Sequence, residues 1–433
     1  MQLFKTKRSK AAVAALAMLS VLGAACGDDS NDDTAAPKSE QNQSVTTAQS
    51  GQAASAQGVD TGAATLRAGL TDLLSEHVYL AALATGAALR GDTAGFEQFA
   101  GVLNGPTNSN TADLVAAIGS AYGPDVQKAF DGLWRSDKHI PQFVAYTQAT
   151  AKGDKAGQDA AVTQLKAYAK EFGTTINSVN DKLPADVVEG AIVQHATELI
   201  AVINAQKAGD QPAVYSALRT AYGHMAHTAT ALAGGTVAKF PDKFDGTVDS
   251  KASELRSGLN LLLREHVWLA GSATGAALGG RMPQFEAVAT ALNGPTNSNT
   301  ADIVAAVGSV YGPDVQKAFD GLWRSDKHIP QFVAYTQAAA KGDQAGKDAA
   351  VTQMLAYAKE FGTTLNSVND KLPAAAVEAA IVEHATTLLA VIDAQAAKDP
   401  AKAATTLRSA VAHMSMTAKA IAGGTVAKFP EKF

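Results

Sequence analysis

The feature that most constrains this chain is that it is written twice. LNGPTNSNTAD at Leu103–Asp113 returns at Leu292–Asp302, and the block Tyr122–Ala149 returns unchanged from Tyr311, a period of 189 residues. One copy closes on AGGTVAKFPDKF at Phe244 and the other on AGGTVAKFPEKF at Phe433. Each repeat is long enough to bury a core of its own. The expected organisation is copy 1 over 62–245 and copy 2 over 251–433, joined by a short polar link.

Within a copy the apolar spacing is helical. Leu66, Leu70, Leu73, His77 and Leu80 fall on one stripe, and Val188, Ile192, His195, Leu199 and Val202 on another. Alanine dominates, and strand-like alternation is absent over any useful length. Pro124 and Pro184 are placed to open helices. Asn110 or Thr111 is expected to cap the helix ending at Tyr122, and Asp137 the helix that begins near His139. The turns Gly91-Asp92, Gly153-Asp154 and Gly209-Asp210 divide the copy into antiparallel hairpins. Their equivalents in copy 2 are Gly280-Arg281, Gly342-Asp343 and Lys398-Asp399. Lysine is a poor left-handed residue, so the last turn is expected to differ. The predicted fold is all-α: two tandem homologous helical-bundle domains of about seven helices each.

Residues 1–25 have a basic start, an apolar run Ala11–Leu22 too short to span a bilayer, and small residues before Cys26, the only cysteine. Leu22-Gly-Ala-Ala-Cys26 resembles a bacterial lipobox with one residue inserted, since its leucine stands four rather than three positions before the cysteine. That resemblance implies cleavage, lipidation of Cys26 and anchoring at the extracytoplasmic face of the cell membrane. Residues 26–61 are polar and poor in large apolar side chains, and read as a disordered tether with a mean reach of roughly 30 Å. A lone cysteine excludes an internal disulfide and any CxxC metal site. A formal charge of −5 gives no electrostatic reason to bind nucleic acid.

The histidines carry the functional expectation. His77, His139 and His195 each stand fourteen residues before their Gly-Asp turn, and His224 fifteen after the last one. At about 1.5 Å of rise per residue, four imidazoles lie at one height in the bundle. His266, His328, His384 and His413 repeat them, while His227 becomes Met416. Buried imidazoles need partners. Ordinary ones are available in Glu76, Glu189, Tyr146 and Tyr222. The sharper expectation is a metal held between helices, most simply copper, with Met225, His227, Met414 and Met416 assisting as further ligands. A non-covalent haem walled by Trp134, Phe143, Tyr79 and Trp268 is the alternative cofactor. HExxH, GxSxG, the Walker loop and CxxCH are absent, and no acid or base is placed for turnover, so no enzymatic activity is expected. A calcium loop in NGPTNSNTAD lacks the EF-hand spacing.

The blocks EHVYLAALATGAAL, LWRSDKHIPQFVAYTQA, HATELIAVINAQKAGD and AGGTVAKFPDKF resemble a group of exported bacterial lipoproteins built from this histidine-bearing helical unit. The likeness covers nearly all of 64–433. It implies an exported helical-repeat protein. Members often carry the label copper amine oxidase, which does not transfer: those enzymes are β-rich and make a quinone from an Asn-Tyr-Asp/Glu tyrosine, a tripeptide missing here. The resulting expectation is an envelope-anchored protein that sequesters or handles metal. A non-catalytic surface scaffold with structural histidines is the alternative.

Overall fold

The computed structural model describes residues 58–433. The leader, Cys26 and nearly all of the tether lie outside the described residues. The fold is all-α. Copy 1 holds α1 (Gly62–Leu89), α2 (Thr93–Asn104), α3 (Asn110–Tyr122), α4 (Pro124–Trp134), α5 (Ile140–Lys152), α6 (Lys155–Val179), α7 (Ala185–Ala208) and α8 (Gln211–Lys239). Copy 2 repeats them as α9 (Lys251–Leu278), α10 (Met282–Asn293), α11 (Asn299–Tyr311), α12 (Pro313–Trp323), α13 (Ile329–Lys341), α14 (Gln344–Val368), α15 (Ala374–Ala396) and α16 (Pro400–Lys428). Eight helices per copy are one more than the turn signals suggest.

The Gly-Asp turns do two jobs at once. Gly153 and Gly209 close a helix in the left-handed region (φ 71° and 72°), where a side chain would be strained. The aspartate that follows caps the returning helix: Asp92, Asp154 and Asp210 accept from the backbone N–H of Gly95, Gly157 and Ala213. Lys398 keeps the left-handed geometry (φ 56°) despite its side chain, so the last turn of copy 2 is preserved against expectation. Two other caps are corrected. Ser109, not Asn110 or Thr111, caps α3, and His139 itself, not Asp137, occupies the N-cap position of α5.

Helix α1 is the axis of copy 1. It packs on α2 and α8 within its own bundle and on α9 of the other copy. Buried on nearly every side, it shows no polar face. The copies dock about a pseudo-two-fold axis: α1 meets α9, α8 meets α10 and α16 meets α2. Tyr79 stacks on its own repeat equivalent Trp268 at 5.0 Å and 13°. These two rings therefore join the copies and do not line a haem site.

The interface also claims the carboxylates. Glu76 pairs with Arg264 at 2.8 Å, both almost fully buried, and with Arg408. The reciprocal pair is Glu265 with Arg219 at 2.9 Å. Arg219 and Arg408 extend to Asp302 and Asp113, inside the repeated NTAD motif. That polar loop thus caps a helix and latches the copies together.

Candidate metal centre

Three helix segments of each copy bring one imidazole apiece to the middle of the bundle. His77 comes from the centre of α1, His195 from the centre of α7, and His139 from the start of α5. One ring nitrogen from each lies within 4.8 Å of the others, and His266, His328 and His384 repeat the arrangement. Ring centroids are 5.5 Å apart for His77–His139 and 5.6 Å for His77–His195. Two imidazoles bound to one ion through bonds of ~2.0–2.1 Å would place their centroids about 5.2–5.5 Å apart. To share one ion the nitrogens would close from separations of up to 4.8 Å to about 3.3–3.6 Å.

The partners of these rings are unusual for ordinary core histidines. His139 Nδ1 donates to the Trp134 carbonyl at 3.0 Å, which leaves Nε2 as the lone-pair nitrogen; His328 and Trp323 repeat this at 2.9 Å. A backbone carbonyl fixing the far nitrogen is how ligating histidines are commonly oriented. His195 and His384 are buried with both ring nitrogens unpartnered, and His77 and His266 leave Nδ1 unpartnered. Three of the four ordinary partners named above are turned elsewhere. Glu76 serves the interface, the Tyr146 hydroxyl donates to Asn204, and the Tyr222 hydroxyl donates to the Leu261 carbonyl. Aromatic rings wall the centre. Tyr168 stacks flat on His139 at 4.5 Å, and the Trp134 indole stands edge-on to His77 at 5.1 Å and to His139 at 4.7 Å.

Burial decides the protonation state. It pushes His139 and His328 down to about 4. Burial and then the neighbouring imidazoles push His195 and His384 down to about 3. His77 and His266 fall well below the usual range for the same two reasons. At neutral pH all six rings are uncharged and can offer a lone pair without losing a proton.

The fourth histidine of each set neighbours His195 or His384 but does not supply one of the three nitrogens that meet. On α8 the buried stripe runs Leu218, Tyr222, Met225 and Ala229, and His224 falls beside it, half-buried, with Thr228 Oγ1 3.3 Å from its Nε2. His413 is buried but turns its Nε2 to the Ala380 carbonyl at 3.3 Å and its Nδ1 toward Glu383 at 3.4 Å. His227 and Met416 are exposed on the outer face, so their exchange does not touch the centre. Met225 and Met414 are core side chains of α8 and α16. The chain matches no family model, no curated protein and no solved structure.

A cavity of about 260 Å³ opens from the surface onto His77, walled by Ala84, Phe96, Leu103, Ile140 and Phe143. Copy 2 has one of about 220 Å³ at His266. Sequence reading placed the histidines but not these approaches, nor Trp134 and Tyr168 as the groups that hold His139. Their identical return in copy 2 was the available signal.

Proposed function

We propose that each copy holds one copper ion, as Cu(I), on its three buried imidazoles, in a protein tethered to the outer face of a bacterial cell membrane through Cys26. The observation that carries this reading is the pair His195 and His384, each buried with two ring nitrogens and no partner. An unsatisfied buried polar group costs about 1–3 kcal/mol, and a bound ion would take up the lone pair of one of the two nitrogens. Imidazole accommodates copper, zinc, iron and nickel, so charge makes the choice. The three-nitrogen groups contain no carboxylate. A dry site with no counter-charge favours the ion of lowest charge. Three ligands leave a position open, and the cavity at His77 leads to it, which suits loading and release of an ion better than a closed structural site. The role that follows is sequestration or handling of copper at the envelope.

The scaffold reading draws on the aromatic packing around His139, but it leaves His195 without a partner. A haem needs a flat slot between its axial rings, where Trp134 is packed against both His77 and His139. The test is to strip the mature chain of metal, reload it with Cu(I) under reducing conditions, and measure copper retained against a competing chelator. Two ions per chain are expected in the native protein, none after His195→Ala with His384→Ala, and two after His227→Ala with Met416→Ala. A stoichiometry unmoved by the first pair of substitutions would overturn the reading.

A further inference from the structure

A second concavity lies away from both histidine centres, where the copies meet. It is a cleft of about 910 Å³ lined by residues of both copies, within the size range of small-molecule sites. On its walls two buried hydroxyls, Tyr79 Oη and Ser272 Oγ, neighbour each other without a well-formed hydrogen bond and have no other partner. The Tyr215 hydroxyl accepts from Gln284 Nε2 at 3.0 Å, so its own proton remains to be donated. The cleft carries four cationic side chains, Arg90, Arg281, Lys207 and Lys398, against two acids, Asp92 and Asp399. Both acids are already used as helix caps. Arg281 is braced by Gln284 and the Gly275 carbonyl at 2.8 Å each, and Arg90 makes no ion pair among the described residues. Burial and then the Arg281 charge hold Arg90 below the usual guanidinium range.

The repeat itself gives independent support. Apart from the glutamine pair Gln206 and Gln395, which both line the cleft, its binding-type groups are present in one copy only. Tyr79 is matched by Trp268, Ser272 by Leu83, Arg90 by Gly279, Arg281 by Asp92, Gln284 by Gly95 and Tyr215 by Ala404. A cleft on a two-fold axis between identical copies would present the same groups twice. This one has become a single asymmetric site, with donors and cations contributed from either side.

We propose that the cleft between the copies binds one small organic acid, its carboxylate between Arg90 and Arg281 and its apolar or aromatic body against Tyr79 and Tyr215. Guanidinium groups suit this role because they pair with carboxylates through parallel hydrogen bonds. The Tyr79, Ser272 and Tyr215 hydroxyls then meet polar atoms on the body of the ligand. The site needs no metal, so it stands or falls separately from the histidine centres.

The test is ligand-observed NMR on the metal-free full mature chain, with a panel of aryl and alkyl carboxylates and their neutral primary amides, followed by calorimetry on the tightest binder. At least one acid is expected to saturate at submillimolar concentration and to bind about tenfold more tightly than its amide. Arg281→Gln with Arg90→Ala should remove that difference. Tyr79→Phe should weaken binding while leaving the ligand-free melting temperature unchanged or higher, a combination that a purely structural tyrosine does not produce. His195→Ala with His384→Ala should leave the affinity as it was. Failure of every acid to saturate below about 1 mM, or binding indifferent to the two arginines, would overturn the proposal.

Discussion

The histidine centres and the cleft between the copies descend from the same duplication, yet only one of them has been held constant. Around the histidines, Trp134, His139, Phe143 and Tyr168 return as Trp323, His328, Phe332 and Tyr357, with ring separations reproduced to about 0.1 Å. Around the cleft, positions a few residues away on the same helices have exchanged charge, size and hydrogen-bonding character. Position 77 and position 83 share α1; the first is histidine in both copies, the second is leucine in one and serine in the other. A centre proposed to perform one task twice would be kept. A surface that must fit its own altered twin, and on our proposal a single ligand, is free to become asymmetric.

The comparison can be broken most forcefully at the interface that separates its two halves. Glu76→Ala takes one carboxylate from two guanidiniums at once: buried Arg264, left with Asp72 at 3.6 Å, and Arg408, left with Asp113. Loss of one partner from such a pair costs about 3–5 kcal/mol. Chemical denaturation should read that loss, and it should exceed the loss from Glu265→Ala, because Glu265 pairs with Arg219 alone. Equal, small effects would mean that the copies fold as independent units.

Acid provides the next test, because it acts on the histidine centres. An unfolded histidine titrates near 6.5, whereas His139 and His195 in the folded chain titrate at about 4 and about 3. Above 6.5 neither state is protonated and stability is full. Below it the unfolded chain takes up protons that the folded chain refuses, so stability falls as pH drops from about 6.5 toward 4. The metal-free melting temperature should follow that curve, and His195→Phe with His384→Phe should flatten it. A curve equally steep in the variant would place the acid sensitivity elsewhere.

Much of this arrangement was legible in the sequence. Residue counts to the Gly-Asp turns give height along a helix, because rise per residue is fixed, and three of the four histidines in each copy do meet at one level. Height is not azimuth. His224 has the right count, but α8 turns Tyr222 and Met225 inward, and that rotation is set by α8's packing against α1 and α7, which residue counts do not contain. Glu76 and Tyr222 were reasonable partners for the histidines within one copy. They go to the interface because the second copy supplies Arg264, Arg408 and the Leu261 carbonyl, and that docking is invisible in either repeat alone.

Smaller effects sharpen the contrast further. Tyr168→Phe and Tyr357→Phe delete buried hydroxyls that have no partner, and keep the rings that stack on His139 and His328. Thermal melts should be unchanged or rise, by at most ~1–3 kcal/mol in stability, with copper binding retained. Smallest of all, Met416→His makes copy 2 match copy 1 at an exposed position, 62% accessible, and should alter stability by less than about 0.5 kcal/mol. Copper capacity should not move either. A gain in copper there would revive the outer face of α16 as part of the site.

X-ray absorption at the copper edge, on the Cu(I)-loaded chain, examines the ligand set itself. Three nitrogen scatterers at about 2.0 Å, with imidazole outer-shell features and no sulfur, are the predicted result. A methionine sulfur in the coordination sphere, a carboxylate oxygen, or a signal that survives His195→Ala with His384→Ala would contradict it.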